Sequence, residues 1–355
     1  MKNISLIAIA IFVSSCATDN NRSFQFKYEV TIEPTNGEKM EMWIPIPQTS
    51  PIQTISNLTY NMSGLNYELK KEEAHNNTYL YVYNDKGFSE SKTVSVEFDV
   101  TRKEHSNYEM YNEVDPNKYL GAYSKVPIGN IFQSIIDKNN LTSKNMEGVY
   151  EFVLSGMHYG KPTDDENSGN YKYVHGGINP KTGKEWLPSN ITYGLKKKTR
   201  DELTKSQNKS KQYAYGNGNS LYACDIGVGN CTDYHSYFMS LGRTLNVPVR
   251  FHMGFPIPSG DGGKVKGYHC WADYFVEGKG WWPVDISEAD KDPKLADYFF
   301  GNIDNSRVDM MIGRDFILDN YDNGKLNLFI YPILEINDKP STGFKKNFSY
   351  KEIKN

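Results

Sequence analysis

The stretch that decides the fold runs from Gly227 to Ser287. It opens GVGNCTDYHSYFMSLGRTLNVPVRF (227–251), passes a glycine-rich loop, and closes GYHCWADYFVEGKGWWPVDIS (267–287). Tyr234, Phe238, Leu241 and Leu245 recur at steps of three and four, which predicts a helix over 232–245 with one buried face. Asn246 and Pro248 mark its end. Cys231 then stands at the N-terminus of that helix, where free N–H groups and the macrodipole favour an anion. Such a site lowers a thiol pKa below its free value of about 8.5 and makes thiolate available at neutral pH. The same N–H groups suit the oxyanion of a tetrahedral intermediate.

A thiolate needs a proton partner. Pro248 to Phe255 reads as a strand, residues 267–277 as the next with His269 near its start, and 281–286 as a third containing Asp285. A meander sets neighbouring strands side by side, so His269 and Asp285 can meet across the pair. A carboxylate on an imidazole fixes the tautomer that accepts the thiol proton. The bland alternative is three unrelated core residues, since buried cysteines are common. Their chain order and their glycine and aromatic neighbours argue against coincidence.

These residues carry a family resemblance. Gly229-Asn230-Cys231-Thr232-Asp233-Tyr234, then Tyr268-His269-Cys270-Trp271-Ala272, then Trp282-Pro283-Val284-Asp285 resemble the transglutaminase-like superfamily over about residues 145–300. The WIPIP run at 43–47 is similar to the front domain of some bacterial members. The resemblance implies an α+β fold, with a papain-like core in which a nucleophile helix packs on an antiparallel sheet. It implies Cys231 as nucleophile, His269 as base and Asp285 as orienting group, with no cofactor and no metal. Many relatives carry a small residue four positions after the nucleophile; this chain has His235, to which no role is assigned. Trp186 and Trp271 are the candidate substrate contacts.

Outward from this core, residues 1–22 read as a signal and tether. Lys2 precedes a short apolar run, Ile4 to Val13, too short to span a bilayer. Val13-Ser14-Ser15-Cys16 resembles a bacterial lipobox, which implies lipidation of Cys16, and Ala17 after it implies outer-membrane sorting. Residues 23–106 read as an antiparallel β-sandwich. Phe24, Phe26, Tyr28, Val30 and Ile32 alternate, Asn36-Gly37 marks a hairpin, and further β-like runs follow. Residues 107–340 are expected to form the catalytic domain, with helices around Ile131–Ile136 and Met146–Leu154. A long solvated insertion at about 160–220 is expected to wall the cleft. Residues 341–355 read as a C-terminal tail.

The chain of 355 residues has a formal net charge of −3, 26 tyrosines and 17 phenylalanines. The aromatics suit strands, and no basic field favours nucleic acid. Cys224, Cys231, His235 and Cys270 fit no standard zinc spacing, and Asp285, Asp290 and Asp292 lack a regular calcium-loop pattern. Cys270, next to His269 on a strand, should face the core or the underside if His269 faces the cleft, and is expected to be a buried free thiol, with Cys224 unpaired. The expected activity is hydrolysis of peptide-type amides in the cell envelope through a thioester, on a peptide or protein substrate. Acyl transfer from protein glutamine and a non-catalytic binding lipoprotein are the alternatives.

Overall fold

The structure, a computed structural model, describes residues 21–110, 115–164, 171–174, 178, 183, 185–206 and 213–354. Cys16 and its lipobox lie outside the described residues.

The front of the chain supplies β1 (Arg22–Ile32), β2 (Met40–Ile46), β3 (Gln53–Asn61), β4 (Asn66–Lys71), β5 (Thr78–Asn84), β6 (Lys92–Arg102) and the short β7 (His105–Ser106). Phe24, Phe26, Tyr28, Val30 and Ile32 are all buried, the alternation read from β1. Asn36 and Gly37 form a turn with φ of 53° and 92°. They do not close a hairpin. β1 pairs with β6, and β2 pairs with β5 in a facing sheet. The turn chemistry is local, but sheet membership follows burial: β2 is buried at all seven positions, whereas β1 keeps Gln25 at the surface.

The middle of the chain adds α1 (Ile131–Asn139), α2 (Met146–Gly156), β8 (His158–Tyr159), β9 (Lys161–Asp164), β10 (Tyr171–Val174), α3 (Arg200–Ser206), α4 (Ser220–Ile226) and β11 (Val228–Gly229). The expectation of a solvated insertion needs correction. Tyr173, Leu187, Tyr193, Leu203, Tyr222, Ile226 and Val228 form a small apolar core of their own. The surrounding turn formers and lysines masked these widely spaced residues.

Next come α5 (Cys231–Thr244), β12 (Val249–Pro256), β13 (Gly262–Lys264), β14 (His269–Val276), β15 (Gly280–Val284), α6 (Ile286–Lys291), β16 (Asn302–Ile303) and β17 (Arg307–Ile312). A four-stranded sheet of order β15-β14-β12-β17 carries α5. Helix α5 is buried from Cys231 to Arg243, not along one face only. Helices α1, α2, α4 and α6 enclose it on the sides the sheet leaves open. Full burial of a side chain such as Phe238 or Leu241 contributes about 1.5–3 kcal/mol, so α5 is held by packing more than by its own propensity.

The chain ends in β18 (Ile333–Ile336), β19 (Lys339–Pro340) and β20 (Phe344–Glu352). Two five-stranded sheets, β13-β20-β1-β6-β3 and β19-β18-β2-β5-β4, complete the sandwich. Residues 341–355 are therefore not a tail, and the expected boundary at 340 falls inside the sandwich. β20 pairs with β1 along Phe24–Ile32, and β18 pairs with β2. β13, expected as part of a loop in the catalytic domain, pairs with β20. The segment leading to His269 is thus stitched to the front sheet.

Candidate active site

The site is built from the first turn of α5. Asn230 caps the helix: its side chain accepts the N–H groups of Thr232 at 3.0 Å and Asp233 at 3.4 Å. The Asp233 carboxylate reciprocates by accepting the Asn230 N–H at 3.1 Å, completing a capping box. Asp233 also accepts from the Gly216 and Gly218 N–H groups at 2.9 and 3.0 Å, which binds the preceding loop over the helix start. Burial pushes Asp233 up to about 7, against those N–H donors. Gly218 has φ of +58°, and a Cβ there would lie 2.7 Å from Arg314 Nη1, Ser236 Oγ and Thr232 Cγ2, so the close approach requires glycine. The N–H of Cys231 takes no part in the cap.

Antiparallel pairing sets Ala272 of β14 opposite Val284 of β15. His269 begins β14, and Asp285 follows β15 as the N-cap of α6. His269 Nε2 donates to Asp285 Oδ2 at 2.7 Å. That leaves Nδ1 for Cys231, whose proximity favours the charged imidazole. Asp285 is fully buried and saturated. Its Oδ2 also accepts from Arg307 Nη1 at 2.9 Å, and its Oδ1 accepts from Ser287 Oγ at 3.0 Å and the Glu288 N–H at 3.1 Å.

The electrostatics follow from these contacts. Burial disfavours the Asp285 carboxylate, but His269 and Arg307 overcome it and hold the group well below the usual carboxylate range. Burial likewise opposes an imidazolium, yet the charge and hydrogen bond of Asp285, with the thiolate, raise His269 to about 10. Hydrogen bonding from Cys270, against burial and with His269 in support, holds Cys231 well below an ordinary thiol. Both shifts favour a thiolate–imidazolium pair. By contrast, burial pushes Cys224 up to about 12.

Residues 181–286, which contain Cys231, His269 and Asp285, match the family model of the transglutaminase-like superfamily. Residues 181–286 are the transglutaminase-like segment of the chain. An uncharacterized protein of Haemophilus influenzae is 31% identical over 172 residues, covering 38% of this chain and 46% of the relative. The match thus spans less than half the length of that relative. A solved structure from Cytophaga hutchinsonii, described as a candidate cysteine protease, shares 12% identity with a TM-score of 0.48, covering 93% of this chain and 98% of that one.

Within the transglutaminase-like segment, Cys270 departs from the alternation expected of it. Its thiol faces Cys231 and lies 3.7 Å from Thr232 Oγ1, which in turn is 3.1 Å from the Tyr268 hydroxyl. The strand begins at His269, and the first turn of α5 reaches Cys270 through Thr232, so both neighbours lie close to the start of that helix. Burial, with the adjacent Cys231, holds Cys270 well above an ordinary thiol, so it stays protonated as a donor. Cys224, Cys231 and Cys270 are all free.

Trp271 is also corrected: it is 2% exposed and is not a cleft residue. Its ring lies between the His252 ring at 5.5 Å and the His269 ring at 6.2 Å, with the guanidinium of Arg307 at 5.0 Å. It shields the His269–Asp285 contact from water. Trp186 is half-buried, 6.3 Å from Tyr159. Tyr159 is stacked at 6.5 Å on Tyr234 and carries the Lys291 ammonium 4.2 Å from its ring centre. Both Tyr159 and Lys291 are electrostatically coupled to Cys231.

Sequence reasoning missed Arg307 and left His235 without a role. Arg307 spans Asp285 and Asp304, three residues before it, at 2.9 and 2.5 Å. An Asp-x-x-Arg spacing alone gives no sign of a third partner from another element. His235 uses Nδ1 on the Cys231 carbonyl and Nε2 on the Ile286 N–H, so neither nitrogen is left for a metal.

Proposed function

We propose that the protein is a thiol hydrolase of peptide-type amides, with Cys231 as nucleophile, His269 as general acid and base, and Asp285 as the group that orients His269. The observation that carries this reading is the 2.7 Å bond from His269 Nε2 to buried Asp285, with Cys231 near enough to favour the charged imidazole. The Cys231 thiolate attacks the amide carbonyl carbon, and the carbonyl electrons move onto oxygen. The Cys231 N–H, left out of the helix cap, is the donor placed for that oxyanion. As the tetrahedral intermediate collapses, the C–N bond breaks and the proton of His269 Nδ1 goes to the leaving amine. A thioester remains. Water then gives a proton to Nδ1 as its oxygen attacks the thioester, the carboxylic acid leaves, and the thiolate–imidazolium pair is restored.

An amine in place of water would give a transglutaminase. The distinguishing experiment supplies a glutaminyl or peptidyl amide with and without a labelled primary amine. Product release without amine, abolished by Cys231→Ala, is expected. Amine incorporation faster than hydrolysis would replace hydrolysis with acyl transfer. Neither reaction across a broad substrate panel would favour a binding protein.

The envelope setting is part of this proposal. It rests on Val13-Ser14-Ser15-Cys16. Cys16→Ala should abolish incorporation of labelled fatty acid and release the protein from the membrane fraction. Retention without any lipid label would remove the anchor from the account.

A further inference from the structure

His235 lies one helical turn after Cys231 and is fully buried. Its Nδ1 is 2.7 Å from the Cys231 carbonyl oxygen, so Nδ1 must carry a proton and donate. Its Nε2 is 3.1 Å from the Ile286 N, whose N–H it accepts, so Nε2 must be a lone pair. The two contacts select one neutral tautomer. Burial lowers the His235 pKa and holds that tautomer, although Asp285 and Cys231 favour the charged ring. The charged and titratable groups around the ring are Asp285, whose Oδ1 is 3.8 Å from Nε2, together with Cys231 and His269.

The two backbone groups held by His235 are specific. One belongs to Cys231. The other belongs to the residue after Asp285, at the first position of α6. That N–H is one of the unpaired donors of a helix start, and the Asp285 side chain does not take it: Asp285 Oδ1 accepts from Glu288 N–H. The imidazole therefore bridges the two pieces of chain that carry the nucleophile and the orienting carboxylate. An aliphatic side chain of similar size would fill the space but leave the Ile286 N–H buried without an acceptor. That unmet donor is relieved by movement of the Asp285 turn.

We propose that His235 is a positioning residue, a neutral imidazole clamp that sets the distance between Cys231 and the Asp285–His269 pair. The proposal rests on the reading of Cys231 as an activated nucleophile. Its effect passes through Asp285: when that carboxylate shifts, His269 is held less firmly as imidazolium and the Cys231 thiolate loses its partner.

The test is the pH dependence of Cys231 alkylation by iodoacetamide, followed by peptide mass mapping, which requires no substrate. His235→Leu fills the site and breaks both contacts. His235→Asn places a donor near the Cys231 carbonyl, and His235→Gln places an acceptor near the Ile286 N–H. His235→Leu should move the alkylation midpoint upward by about one unit, a roughly tenfold loss of thiolate below it. The Asn and Gln variants should each recover part of that loss. Adding Asp285→Asn to His235→Leu should slow alkylation less than it does in the wild type, because the two residues act along one path. A His235→Leu protein with the wild-type profile would overturn the clamp. If His235→Leu does not fold, the Asn and Gln variants decide: wild-type profiles in both overturn the clamp, and intermediate shifts support it. A wild-type Cys231 that alkylates like an ordinary thiol would instead overturn the nucleophile reading itself.

Discussion

Arg307 offers a sharp test of how the site is held together. Its side chain is 4% exposed, with one guanidinium nitrogen 2.9 Å from fully buried Asp285 and the other 2.5 Å from Asp304, which is 35% exposed. Replacing Arg307 with Met keeps volume and removes both ion pairs. Asp304 can turn to water, and an exposed pair contributes roughly 0–1 kcal/mol, so Asp304→Asn should cost little. Asp285 has no such escape. Removing one partner of a buried pair costs roughly 3–5 kcal/mol. His269, Ser287 and the Glu288 N–H remain on Asp285, which places Arg307→Met at the lower end, about 3 kcal/mol. Against a total stability of roughly 5–15 kcal/mol, this is easily measured.

The sign with pH follows from Asp285. Its folded pKa lies below the unfolded value of about 3.9, so its stabilisation is present above that value and is lost as pH falls through the folded pKa. Loss of Arg307 raises the folded pKa. The gap between wild type and Arg307→Met should therefore be widest near neutrality and narrow as pH falls below about 4. Urea denaturation at several pH values, with Asp304→Asn as control, measures it. A gap under about 1 kcal/mol at pH 7, or one independent of pH, would refute the view that Arg307 stabilises the Asp285 carboxylate.

Two further outcomes follow from the site and the topology. Cys270 is the foremost contributor to the low pKa of Cys231, so Cys270→Ala should raise the apparent alkylation pKa of Cys231 and slow its reaction at neutral pH; an unchanged rate–pH curve would contradict that contact. Deleting residues 344–355 removes β20, with its buried Phe348 and Tyr350, from between β1 and β13 and uncovers Phe26, Tyr28 and Phe255, so the truncated chain should lose its cooperative melting transition; a wild-type melt would contradict the pairing.

The active-site elements were the most legible part of the sequence because their signals are local. Helical spacing at Tyr234, Phe238, Leu241 and Leu245 placed α5. Consecutive strand-like runs at 267–277 and 281–286 placed β15 beside β14. What escaped was non-local. β20 buries only Phe348 and Tyr350 among its nine residues, and its partner β1 lies more than three hundred positions away. No turn joins them, so the segment read as a tail. Asn36-Gly37 set the right dihedrals but could not say which sheet would receive β2. Cys270 failed a rule that holds within a strand and not at its entry. Arg307 and His235 act through backbone and carboxylate partners that only the folded chain brings near, and neither residue type carries a signal of that role.

The proposed hydrolysis requires a covalent acyl intermediate on Cys231. An activated peptide-type ester mixed with the protein and quenched in acid within the first turnover tests it by intact and peptide mass spectrometry. An acyl adduct is expected on the peptide bearing Cys231, sensitive to hydroxylamine, decaying in water and absent in Cys231→Ala. An adduct on another residue, or turnover that survives Cys231→Ala, would contradict it.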